Sequence, residues 1–557
     1  MRVMNHSKES NSHVEDALDL STTPAQVDNL AGEEKNAEVH LKTWLLIGAI
    51  NLIYFTQLVN LVGAGSLARD IASVVGGGVD KQIWFTSVVA ILTTTLSIPI
   101  SQAADYWGRK PFLTICTFLG FVGSIIISRA NTVNTVIAGI TVSSVSYGAQ
   151  ALLHAVISEV LPRKFRSFAQ AAVNVSSSLG VIVGAYMGGA LVRNGHPEHF
   201  RIHWYVTAAL YGTSTLVTAL FYNPPPRELQ VLLSTSQKIH QLDWLGYVLL
   251  IVGLVMFCLG LSWYQYPYAF DDAHVLAPFV VGLAFMLALV IHQWVLKKDG
   301  MFHHDLFQHR TFPIVSFCSF CEGLSFYCAN AFLPFQLSFY TTDPLFIGLH
   351  FSIGAYAAIV FAALGATYSW RTKSLRPPIV LGFLTFTTYN VLMATANTNT
   401  PERNLWAYPV LLGMGLGCCI TPLVAVAQFA TPAAFIAMAS GLMISVRSLG
   451  GSIGLPIYNA VFNKVLAENL AQRIAAAATA GGLPESSLTS FIEAIVSGDE
   501  ITLQEIPNAT SEVIAAATVA MKDAYSIAFR YVWVTAGAFG FVGLIGELKP
   551  CPATQGL

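Results

Sequence analysis

About fourteen apolar stretches follow one another along this chain, and they restrict its fold more than any other feature. A hydrocarbon core about 30 Å thick is crossed by roughly 20 residues of α-helix, and each stretch reaches that length. Inside a bilayer only a helix or a closed barrel satisfies the backbone, and runs without two-residue alternation favour the helix. The sequence therefore predicts an all-α integral membrane protein with about 14 transmembrane helices.

The apolar stretches also divide the chain. Predicted spans one to fourteen begin at Leu41, Ile83, Pro111, Thr135, Ser167, Ile202, Trp244, Val275, Phe312, Leu345, Pro377, Leu405, Ala434 and Ala524. Spans seven and eight follow the polar segment NPPPRELQ and stand between two groups of six. The predicted organisation is a disordered cytosolic tail (1–40), an N-terminal six-helix bundle (41–222), a cytosolic linker (223–243), two extra helices (244–296), a C-terminal six-helix bundle (297–547) with a long outer loop (464–522), and a cytosolic tail (548–557).

The composition excludes several classes of protein. Charged residues make up 11% of the chain and hydrophobic residues 54%, whereas a soluble domain has about 25% charged residues. The 29 Lys and Arg nearly balance the 31 Asp and Glu, so no basic surface for nucleic acid is expected. Eight cysteines show no repeated pairing, and the single C-x-x-C, Cys318 and Cys321, lies inside a span. We therefore expect no metal, no cofactor and no nucleic-acid partner.

The distribution of Lys and Arg indicates the orientation. With the N-terminus in the cytosol, the cytosolic segments hold 18 of the 29 Lys and Arg and the outer segments hold 9. Because positive charge accumulates in cytosolic loops, this bias predicts that both termini are cytosolic. The outer loop then carries a glycosylation sequon at Asn508.

The turn between spans two and three, SQAADYWGRK, places an acid and two bases between apolar runs. Asp105, Gly108, Arg109 and Lys110 resemble the signature loop of the major facilitator superfamily, G-x-x-x-D-[RK]-x-G-R-[RK]. The departures from that pattern are a serine in place of its first glycine and a tyrosine in place of a base. A carboxylate can accept hydrogen bonds at a helix start, and an arginine can bind a carboxylate with two hydrogen bonds.

The resemblance implies that this loop is a conformational latch between the two halves. Its partners would be the helix start at Thr431-Pro432 and the carboxylate of Glu159 at the end of span four. The latch would hold one conformation and break in the other.

Span five contains the stretch LGVIVGAYMGGA, in which Gly180, Gly184, Gly188 and Gly189 are spaced by about one helical turn. This stretch resembles the antiporter motif of drug exporters in the superfamily, with an alanine where proline is usual. Close packing of helices alone produces the same spacing, so both interpretations stay open.

The order of motifs along the chain, from SEVLPRKFR through DWLGYVLL and KKDGMFHH to SVRSLGGSIGLPIYNAVF, extends the resemblance. It is similar to the fungal fourteen-span branch related to trichothecene efflux pumps, from Leu41 to span fourteen. The implied fold is the major facilitator fold. Span one lacks the Asp-containing motif of drug exporters, and Ile140 stands where span four usually has an arginine, so those two residues cannot couple protons here.

Ionisable residues inside the spans are candidates for proton coupling, because a charge in hydrocarbon costs about 3 kcal/mol. Glu322 in span nine exchanges a proton, donates a hydrogen bond between helices as a neutral acid, or contacts substrate directly. His154 in span four is either a proton carrier or a neutral imidazole. Arg447 in span thirteen needs an acid or several carbonyls, and a structural ion pair and a coupling role are both open.

Uncharged polar residues on the same spans predict a cavity for a neutral amphiphile. The candidates for contact with substrate are Tyr54, Gln57, Tyr147, Gln150, Thr421 and Gln428.

The resemblance implies a secondary active transporter, not an enzyme, that exports a lipophilic small molecule such as a mycotoxin, secondary metabolite or drug by proton antiport. The alternative is a proton-coupled importer of siderophore-bound iron. A sensor or scaffold with a transporter fold and a membrane enzyme using His303 and His304 are two further classes. We expect a monomer in the plasma membrane, with vesicle or vacuole membrane as the alternative.

Overall fold

The computed structural model describes residues 41–548 except 77–78, 83, 161–165, 194, 225–227, 265–267, 270, 298–299, 303, 308–309, 342, 373, 432–435, 498–502 and 504. Within these residues the chain forms α-helices joined by short connections. The described residues form no β-sheet, and one isolated β-bridge joins Tyr264 and Tyr268. The all-α prediction is confirmed. The two predicted tails lie outside the described residues, apart from Leu548.

The helices occupy the predicted spans, and we keep the span numbers for them. They are span one Leu41–Ser66, span two Trp84–Trp107, span three Arg109–Ser128, span four Val133–Gly148 with Gln150–Val160, span five Arg166–Val192, span six Phe200–Phe221, span seven Trp244–Trp263, span eight Ala273–Ile291, span nine Thr311–Leu337, span ten Pro344–Thr372, span eleven Arg376–Thr395, span twelve Glu402–Phe429, span thirteen Ile436–Ala480 and span fourteen Ser511–Leu548. Short helices include Ala68–Val75, Glu228–Leu232, Thr235–Gln241 and Leu488–Ser497.

Length and hydropathy together support a multi-pass membrane protein. Twelve of the described helices are long and apolar enough to cross a membrane. The helices of spans six and thirteen are as long but fall outside that set of twelve. The exact count of fourteen and the orientation therefore stay predictions.

The region predicted as a long outer loop is largely helical. Span thirteen continues to Ala480, and the helix of span fourteen begins at Ser511, thirteen residues before the predicted start at Ala524. Alanine has the highest helix propensity, which explains why the Ala-rich segment continues the helix. Ile474, Phe491 and Val513 are buried in a small hydrophobic cluster that joins these extensions to Leu488–Ser497.

Two seams bring the predicted halves together. Span two packs along span thirteen, and span five packs along span ten. The inserted span seven packs on span eight and also touches spans two and thirteen. Span eight presents Leu283, Leu287 and Val290 outward, as expected for a helix that faces lipid. The site described next lies between the two seams.

Candidate functional site

Two cavities lie between the halves. We call the end of the bundle that carries the loop 105–110 the inner end, and the opposite end the outer end. Each cavity is named by the end to which it is closer. The outer chamber lies among spans one, five, nine, ten, twelve and thirteen. The inner chamber lies among spans one, four, nine, twelve and thirteen. Tyr54, Ile420 and Arg447 line both chambers.

An ion pair between Glu322 and Arg447 stands between the two chambers. Arg447 Nε lies 2.5 Å from Glu322 Oε2, and Nη2 lies 3.0 Å from Oε1, which is a two-bond fork. The Glu322 side chain is 1% exposed, and the guanidinium also lies 4.5 Å from the ring centre of Phe326. The sequence identified both residues by depth alone, and the structure shows that they are partners.

Spans nine and thirteen approach each other most closely beside this pair. A Cβ atom added to Gly323 would overlap the backbone carbonyl oxygen of Arg447. A glycine next to Glu322 is therefore what allows the carboxylate to reach Arg447.

The inner chamber brings together two other predicted residues with Glu322. Gln150 and His154 of span four line it, and the ring of His154 meets the ring of Tyr54 edge to face at 5.7 Å between centres. His154 is 5% exposed. An imidazole and a carboxylate that share one chamber can both take part in proton movement.

Gln57 and Tyr147 hold spans one and four together and are not among the residues that line the two chambers. Gln57 Nε2 donates to the carbonyl of Ser146 at 2.8 Å, and the Tyr147 hydroxyl donates to the carbonyl of Gln57. Both side chains are buried. These two hydrogen bonds join the helices, and a contact of either residue with substrate stays a prediction.

Thr421 and Gln428 also form hydrogen bonds between helices, and neither is among the residues that line the two chambers. The Asn174 amide of span five donates to the Thr421 hydroxyl at 2.8 Å, across the two halves. Gln428 Nε2 donates to the Ser440 hydroxyl at 3.0 Å, which joins spans twelve and thirteen.

The outer chamber contains residues that the sequence analysis missed. Ser177, Ser178, Phe326, Asn330 and Phe351 line it together with Leu and Ala side chains. The run of three serines in span five, which is polar within an apolar stretch, is the signal that could have identified two of them. A mainly apolar wall with a few polar groups is suited to a neutral lipophilic ligand.

The loop between spans two and three is compact and buried at Arg109. Arg109 Nη2 lies 3.8 Å from Asp105 Oδ1, and the Arg109 side chain is 2% exposed. Gly108 has φ +88°, a conformation that favours glycine, and Lys110 donates to the Asn223 side chain at 2.5 Å.

Among the predicted partners of the latch, Pro432 and the side chain of Glu159 lie outside the described residues, and the Thr431 hydroxyl donates to the carbonyl of Ala427 in span twelve at 2.7 Å. The latch between the two halves therefore stays a prediction.

The four glycines of span five divide between two neighbours. An added Cβ on Gly180, Gly184 or Gly188 would contact span one of the same half. An added Cβ on Gly189 would lie 2.5 Å from the carbonyl oxygen of Pro344, at the start of span ten in the other half. One end of the motif thus packs within a half, and the other end packs across the seam between spans five and ten, which we call the outer seam.

Two basic side chains bridge the halves near this outer seam. Arg193, after span five, lies 2.8 Å from Asp343 before span ten. Arg69 donates to the hydroxyl of Ser338, just after span nine, at 2.5 Å. Its guanidinium carbon lies 4.3 Å from the ring centre of Phe335, which is within span nine. These partly exposed contacts are weak enough to break and re-form during a conformational cycle.

The adjacent glycines of span five give a matched test of the outer seam. Gly189→Ala should lower the melting temperature and the transport rate, since its Cβ needs the Pro344 backbone to move. We expect a cost of about 1–3 kcal/mol. Gly188→Ala is the control, because its nearest neighbour would be a Leu67 side-chain carbon at 3.4 Å. Equal behaviour of the two variants would contradict the close packing of spans five and ten.

Comparison with known proteins gives the family. The fungal trichothecene efflux pump family (TRI12) matches residues 48–551, which is most of the chain. The chain belongs to this family. The sequence-based resemblance is thereby confirmed, and so is the class of function, a membrane transporter of the major facilitator type.

Individual relatives of this efflux pump family are distant in sequence but similar over their whole length. The MFS-type efflux transporter ffsH of Aspergillus flavipes is 24% identical over 545 residues, which cover 95% of this chain and 89% of that protein. The trichothecene efflux pump TRI12 of Fusarium sporotrichioides is 22% identical over 508 residues, which cover 89% and 83%.

Solved structures agree on the fold. A peptide transporter of the POT family in complex with sulfate has a TM-score of 0.58 at 12% identity, covering 92% of this chain and 96% of that one. A bacterial homolog of the human lysosomal transporter Spinster, inward-facing and unoccupied, has a TM-score of 0.55 at 13% identity, covering 92% and 99%. At such low identity the likeness shows the major facilitator fold alone.

Proposed function

We propose that this efflux pump family member exports a neutral, lipophilic small molecule in exchange for protons. The observation that carries the proposal is the position of the buried Glu322–Arg447 pair between two chambers, of which the inner one is also lined by Gln150 and His154. A mainly apolar lining with a few polar groups can bind a mycotoxin-like or drug-like molecule through its surface area. The trichothecene and efflux names of its relatives support the same class of substrate.

The ion pair offers a simple coupling step. Protonation removes the negative charge of Glu322, and Arg447 then loses the attraction that holds it at the wall of both chambers. The proton and the ion pair therefore compete for the same carboxylate. Release of the proton toward the inner chamber, beside His154, would restore the pair while substrate enters from the cytosol.

The contacts between the halves fit alternating access to one central site. Spans five and ten close the outer seam through Gly189 and the Arg193–Asp343 pair. Closer to the inner end, a Cβ added to Gly441 of span thirteen would lie 2.8 Å from Ser101 Oγ of span two. Export would open these two ends in turn, with the loop 105–110 as the proposed latch of the inner end.

Metabolite profiling tests the function. Cells that express the chain should hold less of one lipophilic compound and release more of it than cells that lack the chain, and dissipation of the proton gradient should abolish the difference. Unchanged profiles in both compartments across the lipophilic fraction would contradict export. Uptake of ferric siderophore, which the family does not favour, would instead appear as cell-associated radioiron.

The glycosylation sequon tests the proposed orientation. Asn508 is exposed and has φ +65°, in the outer region between spans thirteen and fourteen. If that region is exported, glycosidase treatment should shift the electrophoretic mobility of the wild-type chain but not of Asn508→Gln. A thiol reporter at position 508 that reacts only from the cytosol would contradict the N-in, C-in topology. We place the exporter as a monomer in the plasma membrane, which localisation of the tagged chain would check.

A further inference from the structure

The inserted pair of helices forms a polar cluster at its inner end that the transport mechanism above does not use. The carboxylate of Asp243, just before span seven, is 2% exposed. Its Oδ1 accepts from the backbone N–H of Gly246 at 3.1 Å and lies 3.0 Å from His292 Nε2. Its Oδ2 accepts from Gln293 Nε2 at 2.5 Å and from the backbone N–H of Met301 at 3.2 Å. We call these five residues the Asp243 cluster.

The Asp243 carboxylate at the centre of the cluster is ionised near neutral pH. Burial alone would raise the pKa of Asp243, but hydrogen bonds from His292, Gln293, Gly246 and Met301 outweigh burial and hold the pKa at about 2. The ammonium group of Lys297 lies 3.6 Å from the same carboxylate. The cluster therefore keeps the start of span seven, the end of span eight and the segment before span nine together.

A second contact extends the cluster to the first half. Tyr247, one turn after Asp243, donates its hydroxyl hydrogen to Gln102 Oε1 of span two. Gln102 Nε2 in turn lies 3.4 Å from the carbonyl oxygen of Gly300. Gln102 is three residues before Asp105, so this contact fixes the part of span two from which the 105–110 loop emerges.

Farther along, the same span seven contacts the second half. The Cys258 thiol donates to the carbonyl of Ser452 in span thirteen at 3.1 Å. Leu254 and Cys258 are buried in a hydrophobic cluster with Ile91 of span two, and Leu449 and Ile453 of span thirteen pack against it. Span seven therefore crosses the seam along which spans two and thirteen meet.

We propose that span seven braces this seam, and that Gln102 and Tyr247 are positioning residues that favour the state in which its inner end is closed. In that state Ser101, next to Gln102, is 2% exposed, and its Oγ would lie 2.8 Å from a Cβ on Gly441 of span thirteen. This inference rests on the alternating access of the proposed function. The brace acts on the equilibrium between the two conformations and not on the binding of substrate or protons.

Labelling of a cysteine at position 101 measures this equilibrium without substrate or gradient. In a Ser101→Cys background, Tyr247→Phe should raise the rate of reaction with a water-soluble maleimide by about three- to tenfold, the effect of one lost hydrogen bond. Tyr268→Phe is the matched control, since it removes a hydroxyl at the opposite end of the same helix pair, where Tyr268 stacks on His274. Its labelling rate should equal that of the background. The wild-type chain, which has serine at position 101, gives the labelling rate of the native cysteines.

A double substitution separates positioning from general stability. Gln102→Leu alone should raise the labelling rate as Tyr247→Phe does, and the two together should have about the effect of one, because both remove the same contact. An unchanged or lower rate in both folded single variants would overturn the proposal. So would additive effects, or a loss of folded protein in both variants, because each of these results indicates a purely structural contact.

The result is independent of the substrate experiment. Faster labelling in Tyr247→Phe without any exported compound would leave the brace intact and refute the proposed export. Export of a compound, together with unchanged labelling in Tyr247→Phe and Gln102→Leu, would support the proposed export and refute the brace.

Discussion

Glu322→Gln should abolish the dependence of export on the proton gradient and lower the export rate at least about tenfold. A coupling free energy of about 1–3 kcal/mol between two ligands corresponds to about 5- to 150-fold, and the glutamine cannot ionise to exchange a proton. The variant also leaves the Arg447 guanidinium without its anion in a buried position. We therefore expect a loss of about 3 kcal/mol in stability as well. Export as a function of external pH, together with a melting curve of the purified protein, measures both effects.

Two further variants separate coupling from stability. Glu322→Gln combined with Arg447→Met removes the unpaired charge, so the melting temperature should recover while the pH dependence stays lost. Glu547→Gln is the matched control, because Glu547 is also buried, at the end of span fourteen, but is not among the residues that line the two chambers. A Glu322→Gln protein with wild-type export and wild-type pH dependence would show that the carboxylate only joins two helices.

Gly323→Ala should have the second large effect, through the approach of spans nine and thirteen. The added methyl group would overlap the Arg447 carbonyl oxygen, which is backbone and cannot rotate away. The two helices must separate, and the fork between Glu322 and Arg447 must lengthen. Overpacking of this kind costs about 1–3 kcal/mol, so we expect a lower melting temperature and an export defect that resembles that of Glu322→Gln.

Gly365→Ala provides the control for Gly323→Ala. Gly365 lies within span ten, and the nearest atom to an added Cβ would be Pro378 Cβ at 3.9 Å, an ordinary contact. Alanine is favoured over glycine inside a helix by about 0.5–1 kcal/mol, so this variant should be as stable as the wild type or slightly more stable. If Gly323→Ala behaved in the same way, the close approach of spans nine and thirteen would be wrong.

Thirteen of the predicted spans begin within three residues of the observed helices, whereas the start of span fourteen was thirteen residues late. Hydropathy is a sum over roughly 20 neighbouring residues, so it locates membrane helices from local sequence alone. The helices of spans thirteen and fourteen continue through Ala-rich sequence beyond the apolar runs without a break. There hydropathy falls while helix propensity stays high, so the apolar run does not mark the helix end.

The candidate site was only partly predictable. Glu322 and Arg447 stood out because ionisable side chains in apolar spans are costly, and the structure pairs them across 125 residues of sequence. Gln57 and Tyr147 carried a similar polar signal, and the structure shows them in hydrogen bonds between spans one and four, so their contact with substrate stays a prediction. Successive residues of a helix project about 100° apart, so a small error in helix rotation changes a chamber residue into a packing residue.

By itself the sequence determined that this chain is an all-helical membrane transporter of the major facilitator type, because apolar runs and loop motifs are local features. The tertiary structure decided which polar groups meet: Glu322 with Arg447, Gly189 with Pro344, and Asp243 with residues of three different segments. These contacts depend on the rotation and distance of helices that are far apart in sequence. Such distances are set by the packing of small residues at each crossing, which no single stretch of sequence encodes.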